Sequence, residues 1–198
     1  ALRREFGLLP EDMVICTVGR MGPEKNPLDL VEIYQQVREQ KPCKLLLVGE
    51  GTQSEDLKTK IAASKWKSDI VLIDRIPNDQ IWKVYATADY FVNLCRTEIF
   101  GMAILEAMYY GVSVAALAAP GPSVTLRDMP GHKLCSSYEE IRDWLLAEHP
   151  AQEQLRESAA RTVQLYNWKP CADIFLSMAV GGTNEHPGHH NILSSSRA

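Results

Sequence analysis

The sequence predicts one α/β domain built on a doubly wound, mostly parallel sheet. Short apolar runs alternate with helical patterns along most of the chain, the order that a parallel sheet with crossover helices requires. Several of those runs are apolar continuously rather than at every second position, as strands buried on both faces are. The length of 198 residues is enough for one sizeable domain with a generous core.

The strand-like runs are MVICTV (13–18), KLLLVG (44–49), DIVLID (69–74), YFVNLC (90–95) and VSVAALA (112–118), with HKLCSS (132–137) a weaker sixth. Helical spacing fills the gaps. Leu30, Ile33, Tyr34 and Val37 recur at the helical period, with Asn26 as the expected N-cap and Pro27 at the first helical position. Thr52 and Glu55 offer a capping box for the next helix. Ile81, Val84, Tyr85 and Ala88 repeat the spacing, and Gly101 to Tyr110 predict a helix that stops at Gly111. Ile141, Trp144 and Leu145 mark a later helix. Leu155, Ala159, Val163 and Tyr166 mark another, and Ile174, Phe175 and Met178 a short last one. The polar, Gly- and Ser-rich stretch 181–198 reads as a flexible tail after a domain over 1–180.

Composition narrows the class. Hydrophobic residues make up 45% and charged residues 23%, ordinary for a globular protein, and a net charge of −4 argues against a broad nucleic-acid-binding face. No apolar run approaches the roughly 20 residues that span a bilayer, and ALRREFGLLPED at the start lacks the apolar core of a signal peptide. The five cysteines (Cys16, Cys43, Cys95, Cys135 and Cys171) are odd in number, form no C-x-x-C, and lie mostly in apolar runs. They read as reduced, buried thiols rather than a disulfide framework or zinc site, which points to a cytoplasmic location. His186, His189 and His190 read as a solvated tail rather than a metal site.

A ligand in an open α/β sheet sits outside the carboxyl ends of the strands. Three strand-to-helix turns there carry unusual residues. VGRMGPEKNP (18–27) has Gly19 and Gly22 for close backbone approach and places Arg20 and Lys25 just before a helix N-terminus. Such an end offers free N–H groups and a partial positive charge, which suit an anion and phosphate above all. A solvated basic loop is the plainer alternative. LLLVGEGTQSEDL (45–57) contains Gly49-x-Gly51-x-x-Ser54, near a dinucleotide-binding pattern but with Ser54 in place of the third glycine. Asp69 and Asp74 stand at about the spacing of a ribose-binding acid, and a tight turn without ligand explains the glycines equally well.

The third turn is EIFGMAILEAM (98–108). Glu98 falls at the ligand edge, and Gly101 clears space before the N–H groups of the following helix. If residues 102–110 are helical, Met102, Leu105 and Tyr109 share one face, while Ala103, Ala107 and Tyr110 occupy others. Glu106 is then the only charge on a helix that is apolar nearly all round. An isolated buried carboxylate is costly, so it needs a partner. Glu98 acting only as a helix cap, and Glu106 pairing with a buried arginine, remain the plain alternatives. Together the two cations, helix N-termini, glycines and separated carboxylates suit a ligand with phosphates in its middle and hydroxylated rings at both ends, a nucleotide sugar.

These residues resemble the retaining glycosyltransferases of family 4, which have the GT-B fold. EIFGMAILE matches that family's E-x7-E motif from Glu98 to Glu106. VGRMGPEKNP is similar to its phosphate loop, with Arg20 and Lys25 in the matching places. LLLVGEG and IWKVYATADYFVNLC resemble the segments between, and YNWKP around Trp168 the start of the terminal helices. The match covers about residues 1–120 well and the remainder loosely.

The resemblance implies that the chain is the Rossmann-like, donor-binding half of a GT-B retaining hexosyltransferase. Such an enzyme binds its acceptor mainly through an N-terminal domain that this sequence does not contain, so the lone domain is expected to turn over little. A nucleoside-diphosphate sugar is the implied donor, with no cofactor. No D-x-D occurs, so no metal is expected at the diphosphate, and cations and helix dipoles take that role. Glu98, Arg20 and Lys25 carry the implied catalytic roles, the two cations by neutralising the leaving diphosphate. Gly19 belongs to the same loop. Glu98 meets sugar hydroxyls and Glu106 the ribose. Backbone groups around Phe100, Gly101 and Met102 meet phosphate or sugar, and the backbone around Ile76 in DRIPN meets the base. Many relatives act on lipid-linked acceptors, which implies peripheral membrane association of the full enzyme; this chain shows no basic amphipathic helix. Two departures stand out: Cys95 occupies a usual serine position, and APGPSV (119–124) replaces the usual Gly-Gly-x-x-Glu stretch.

Three other readings compete. GT-B-like UDP-GlcNAc epimerases share the fold but lack this pairing of E-x7-E with R…EK. An NAD-binding oxidoreductase using the Gly49 loop leaves Arg20, Lys25, Glu98 and Glu106 unexplained. A non-catalytic binding domain leaves those four without a reason to be intact.

Overall fold

The computed structural model describes residues 2–147, 150–167 and 169. The sheet lies in a compact unit that ends at Gln164. Its strands are β1 (Val14–Val18), β2 (Lys44–Val48), β3 (Ile70–Ile73), β4 (Tyr90–Asn93), β5 (Ser113–Leu117) and β6 (Lys133–Cys135). They form one sheet in the order β3-β2-β1-β4-β5-β6, with every neighbouring pair parallel. Each strand falls inside the run expected from sequence, the weak HKLCSS included. The helices are α1 (Leu2–Glu5), α2 (Pro27–Arg38), α3 (Ser54–Ala63), α4 (Trp82–Tyr85), α5 (Met102–Tyr109), α6 (Pro120–Thr125), α7 (Tyr138–Leu146) and α8 (Gln152–Leu165).

The continuous apolarity of the strands has its reason in burial: every residue of β4 and β5 is buried. Ile15, Leu45, Leu47, Val92 and Leu117 pack in one cluster with Leu30, Ile33, Tyr34 and Val37, the stripe that the period of α2 marks out. The amino ends of the strands are tied by ion pairs. Arg3 grips both oxygens of Asp89 at 3.0 Å, and Asp89 also accepts the Val14 N–H at 2.7 Å. Asp69, just before β3, is held by Arg38 at 2.9 Å and Lys44 at 2.5 Å. Asp69 therefore sits at the edge opposite the ligand end and is consumed by structure, which removes it as a ribose acid.

The carboxyl ends behave differently. The sheet order reverses between β1 and β4, so the loops that follow these neighbouring strands leave in opposite directions and open a crevice between them.

Several local expectations are corrected. Asn26 does precede α2, and Pro27 is its first residue, but Asn26 is left-handed (φ 50°) and its side chain does not cap the helix. Instead its amide donates to the Leu94 carbonyl at 3.0 Å, a longer-range tie that competes with capping. The Thr52–Glu55 capping box does not form. Gln53 takes the N-cap position, Glu55 pairs with Lys58 at 3.0 Å, and the Ser54 hydroxyl accepts the Gly51 N–H at 2.9 Å. α4 is one turn and ends before Ala88, where the Thr87 hydroxyl bonds back to the Val84 carbonyl at 2.8 Å. On α8 the buried positions are Leu155, Ser158 and Thr162, whereas Val163 is 49% exposed. The apolar period misplaced that face because two of its inward positions carry hydroxyls with partners: Ser158 meets His132 and Thr162 bonds to the Ser158 carbonyl.

Cys16, Cys43, Cys95 and Cys135 are buried free thiols. Trp168, Cys171, Ile174, Phe175, Met178 and the stretch 181–198 lie outside the described residues. Among the described residues no helix is long and apolar enough to cross a membrane.

Candidate functional site

The loop after β1 is built onto the loop after β2. The Gly19 N–H donates to the Val48 carbonyl at 3.0 Å, Met21 N–H to Glu50 at 3.1 Å, and Gln53 N–H to Met21 at 2.9 Å. This contact leaves no room for side chains. A Cβ on Gly49, which has φ +136°, would fall 1.8 Å from the Gly19 carbonyl oxygen, and one on Gly51 would fall 2.4 Å from that of Met21. The Gly49-x-Gly51 pattern thus has a packing explanation: it lets two loops touch, and one of them carries the candidate anion-binding residues. The dinucleotide reading loses its motif.

Lys25 and Glu98 meet across the crevice. Lys25 ends a short 3-10 turn (Pro23–Lys25) and Glu98 lies in the loop after β4. Lys25 Nζ donates to Glu98 Oε2 at 2.6 Å, with the Glu98 side chain 17% exposed. The other carboxylate oxygen accepts the Gly101 N–H at 3.1 Å. Burial alone would push the Glu98 carboxyl up, but the Lys25 ammonium, the Asn93 amide and the Gly101 N–H together outweigh it. The net shift is downward, so Glu98 is an anion at neutral pH. A groove beside the pair is lined by Thr17, Gly19, Arg20, Met21, Lys25 and Asn93.

Gly101 is left-handed (φ +83°) and turns the chain into α5. Phe100 and Met102, on either side of it, are exposed. The opposite side of this loop is fixed by Gly121 from the APGPSV stretch. Its N–H donates to the Glu98 carbonyl at 2.8 Å, and a Cβ there would lie 2.8 Å from the Phe100 nitrogen. The departure at 119–124 therefore supports the Glu98 loop through backbone contact.

The rest of α5 differs from the sequence reading. Ile104, Leu105, Ala107 and Met108 are buried, but Met102 is 56% exposed and Tyr109 and Tyr110 are also exposed. The helix is one-sided, and Glu106 is half-buried on its open side. The Tyr85 hydroxyl donates to Glu106 Oε2 at 2.6 Å, so its partner is a phenol and not an arginine. Arg20 projects into solvent with its side chain 75% exposed, and its Nε lies 2.9 Å from Glu24 Oε1. Ile76 follows β3 at the same edge of the sheet and is half-buried.

The structure thus joins Lys25 directly to Glu98 and puts Gly19 and Arg20 on the same groove. Glu106 stands apart, held by a different element. Sequence reasoning missed Asn93, Asn26, Tyr85 and Gly121. Asn93 had a signal: its amide ends the buried run YFVN, and a buried amide needs partners. Among the described residues no cluster of three or more His, Cys, Asp or Glu side chains could hold a metal ion.

A sequence profile of the glycosyl transferases group 1 matches residues 1–161. The chain belongs to that family. The D-inositol 3-phosphate glycosyltransferase of Segniliparus rotundus is 29% identical over 188 residues, covering 89% of this chain and 42% of that protein. The sulfoquinovosyl transferase SQD2 of Arabidopsis thaliana is 26% identical over 169 residues, 81% of this chain and 32% of that protein. The glycosyltransferase chain therefore spans less than half the length of these curated relatives. Among solved structures, Anabaena HepE in complex with UDP and glucose superposes with a TM-score of 0.76 at 18% identity, covering 90% of this chain and 50% of that one. The C-terminal domain of the group 1 glycosyl transferase LpcC from Francisella tularensis gives 0.66 at 21% identity, covering 82% and 89%. At such identities the likeness is one of fold, the α/β fold of a GT-B glycosyltransferase domain.

Proposed function

We propose that this chain is the donor-binding half of a glycosyltransferase that takes a nucleoside-diphosphate sugar and transfers its glycosyl group, with retention, to an acceptor held by another domain. The observation that carries this reading is the Lys25–Glu98 pair at the reversal point of the sheet. A cation and a carboxylate that satisfy each other can be parted by a ligand that supplies an anion to one and a hydroxyl to the other. A diphosphate joined to a sugar does both. Lys25, with Arg20 beside it, takes the negative charge that grows on the departing diphosphate, a role that needs no metal. Glu98, once Lys25 turns to phosphate, accepts a donor-sugar hydroxyl, and backbone groups at Phe100, Gly101 and Met102 line the same turn. Glu106 accepts a ribose hydroxyl, and the segment at Ile76 meets the base.

The bound UDP and glucose of the Anabaena structure, which shares this fold, and the sugar-transferring names of the relatives support the assignment. Retention rests on the family resemblance. The domain is proposed to run over 1–180, to need no cofactor, to act in the cytoplasm and to work with an acceptor domain at a membrane surface. Alone it would bind donor yet turn over little, because acceptor contacts from the second domain are part of the reacting geometry. A thermal-shift panel with UDP-, GDP-, ADP- and CMP-sugars tests the reading: a ligand at 100 times its Kd adds about 2.7 kcal/mol. Stabilisation by one diphosphate donor is expected; no shift with any of them at millimolar concentration rejects the donor site.

A further inference from the structure

We infer that Tyr85 is a positioning residue for Glu106, holding its carboxylate so that one oxygen stays available to a ribose hydroxyl of the bound nucleotide. The inference rests on the donor-site reading above, and adds a residue that no E-x7-E or phosphate-loop motif contains.

The geometry is specific. Tyr85 is 1% exposed and its hydroxyl reaches Glu106 Oε2 at 2.6 Å. Its ring is stacked on Tyr110, with centroids 6.0 Å apart and planes 8° apart, and is tilted against Phe91 at 6.1 Å. Aromatic packing on both neighbours leaves the phenol little freedom to swing away. Burial, and then the Glu106 carboxylate itself, push the ionisation of Tyr85 far above the ordinary phenol range. The hydroxyl therefore stays a donor, and Glu106 must be the acceptor. Among the described residues the second Glu106 oxygen takes no hydrogen bond, on the open side of α5.

A glutamate has three side-chain torsions to fix before it can serve as an acceptor, and a buried phenol that pins one oxygen fixes them in advance. The placement also links two parts of the proposed site. α4, which carries Tyr85, is joined to the DRIPN loop with Ile76 by a short 3-10 turn (Asn78–Gln80), so one segment reaches the proposed base contact and the acid proposed to hold the ribose.

The test compares a nucleoside diphosphate (UDP, GDP or ADP, whichever the wild-type chain binds most tightly) with its 2′,3′-dideoxy form by calorimetric titration. Tyr85→Phe keeps the ring and its stacking. It is expected to weaken the ribose form about tenfold, the size of one hydrogen bond to a charged group, and to leave the dideoxy form within about twofold. Glu106→Gln should do the same, and the double variant should lose no more than Glu106→Gln alone. Equal weakening of both nucleotides by Tyr85→Phe would mean a merely structural phenol and overturns the inference, as does no effect on either. The donor-site reading fails separately: in that case the wild-type chain binds neither nucleotide.

Discussion

Lys25 Nζ lies 2.6 Å from Glu98 Oε2, across 73 positions of sequence and between the two strands where the sheet order reverses. The pair ties the loop after β1 to the loop after β4, so it is at once a structural clasp and the place where an anionic, hydroxylated ligand would insert.

The clasp has a pH signature. The folded Glu98 carboxyl lies below its ordinary value, so its stabilisation is present above the unfolded value of about 4.3 and is lost as pH falls through the folded one. Lys25→Met should cost about 1–2 kcal/mol at pH 7, because it leaves a mostly buried carboxylate without its cation. The gap from wild type should narrow as pH falls below about 4.3, because protonation of Glu98 then removes the charge. Chemical denaturation at pH 7 and pH 3 measures both; a gap that does not change with pH contradicts the account.

The contact between the first two loops makes a second prediction. Gly49→Ala puts a Cβ at 1.8 Å from a backbone oxygen, at a φ of +136°, and should cost at least about 3 kcal/mol. Gly111→Asn is the control: it has φ +71° with nothing within 4 Å, a left-handed position that asparagine tolerates, and should cost under about 1 kcal/mol. Thermal unfolding of the two variants separates them, and similar losses would mean that the loops can yield.

His132 supplies a third. Its Nδ1 accepts the Val114 N–H at 3.0 Å, which leaves the proton on Nε2, 2.5 Å from the Ser158 hydroxyl on α8. Burial lowers its pKa to about 4, so the neutral ring joins sheet to helix. Because the folded value lies below the unfolded one of about 6.5, its contribution is full above about pH 6.5 and is lost as pH falls towards 4, by a total of order 3 kcal/mol. His132→Gln should flatten the stability curve between pH 7 and 4; an unchanged slope would show that another group titrates there.

Much of this architecture was legible in the sequence because burial writes itself into strands directly. The runs at 14–18, 90–93 and 113–117 are mostly apolar on consecutive positions because both sheet faces are largely covered, and Pro27 marks the start of α2 because its ring suits that position. What failed was local chemistry with a distant alternative. Asn26 reaches Leu94 instead of capping, and the inward face of α8 holds hydroxyls whose partners lie in another element. In the site, charge and glycine placed Lys25 and Glu98 at the crevice, but the glycines at 49 and 51 proved to serve loop packing. From sequence Tyr85 reads as one apolar tooth of a helix within the family-like segment 81–95, since nothing in that segment announces a carboxylate 21 positions away.

The most direct test of the donor site is calorimetric titration of a nucleoside diphosphate into wild type, Arg20→Ala and Lys25→Ala. Arg20 is well exposed, so Arg20→Ala should leave Tm within about 1 °C while weakening binding about tenfold, more at low than at high salt. Lys25→Ala should weaken binding at least as much. Wild-type binding that both variants retain unchanged would place the nucleotide elsewhere and contradict the account.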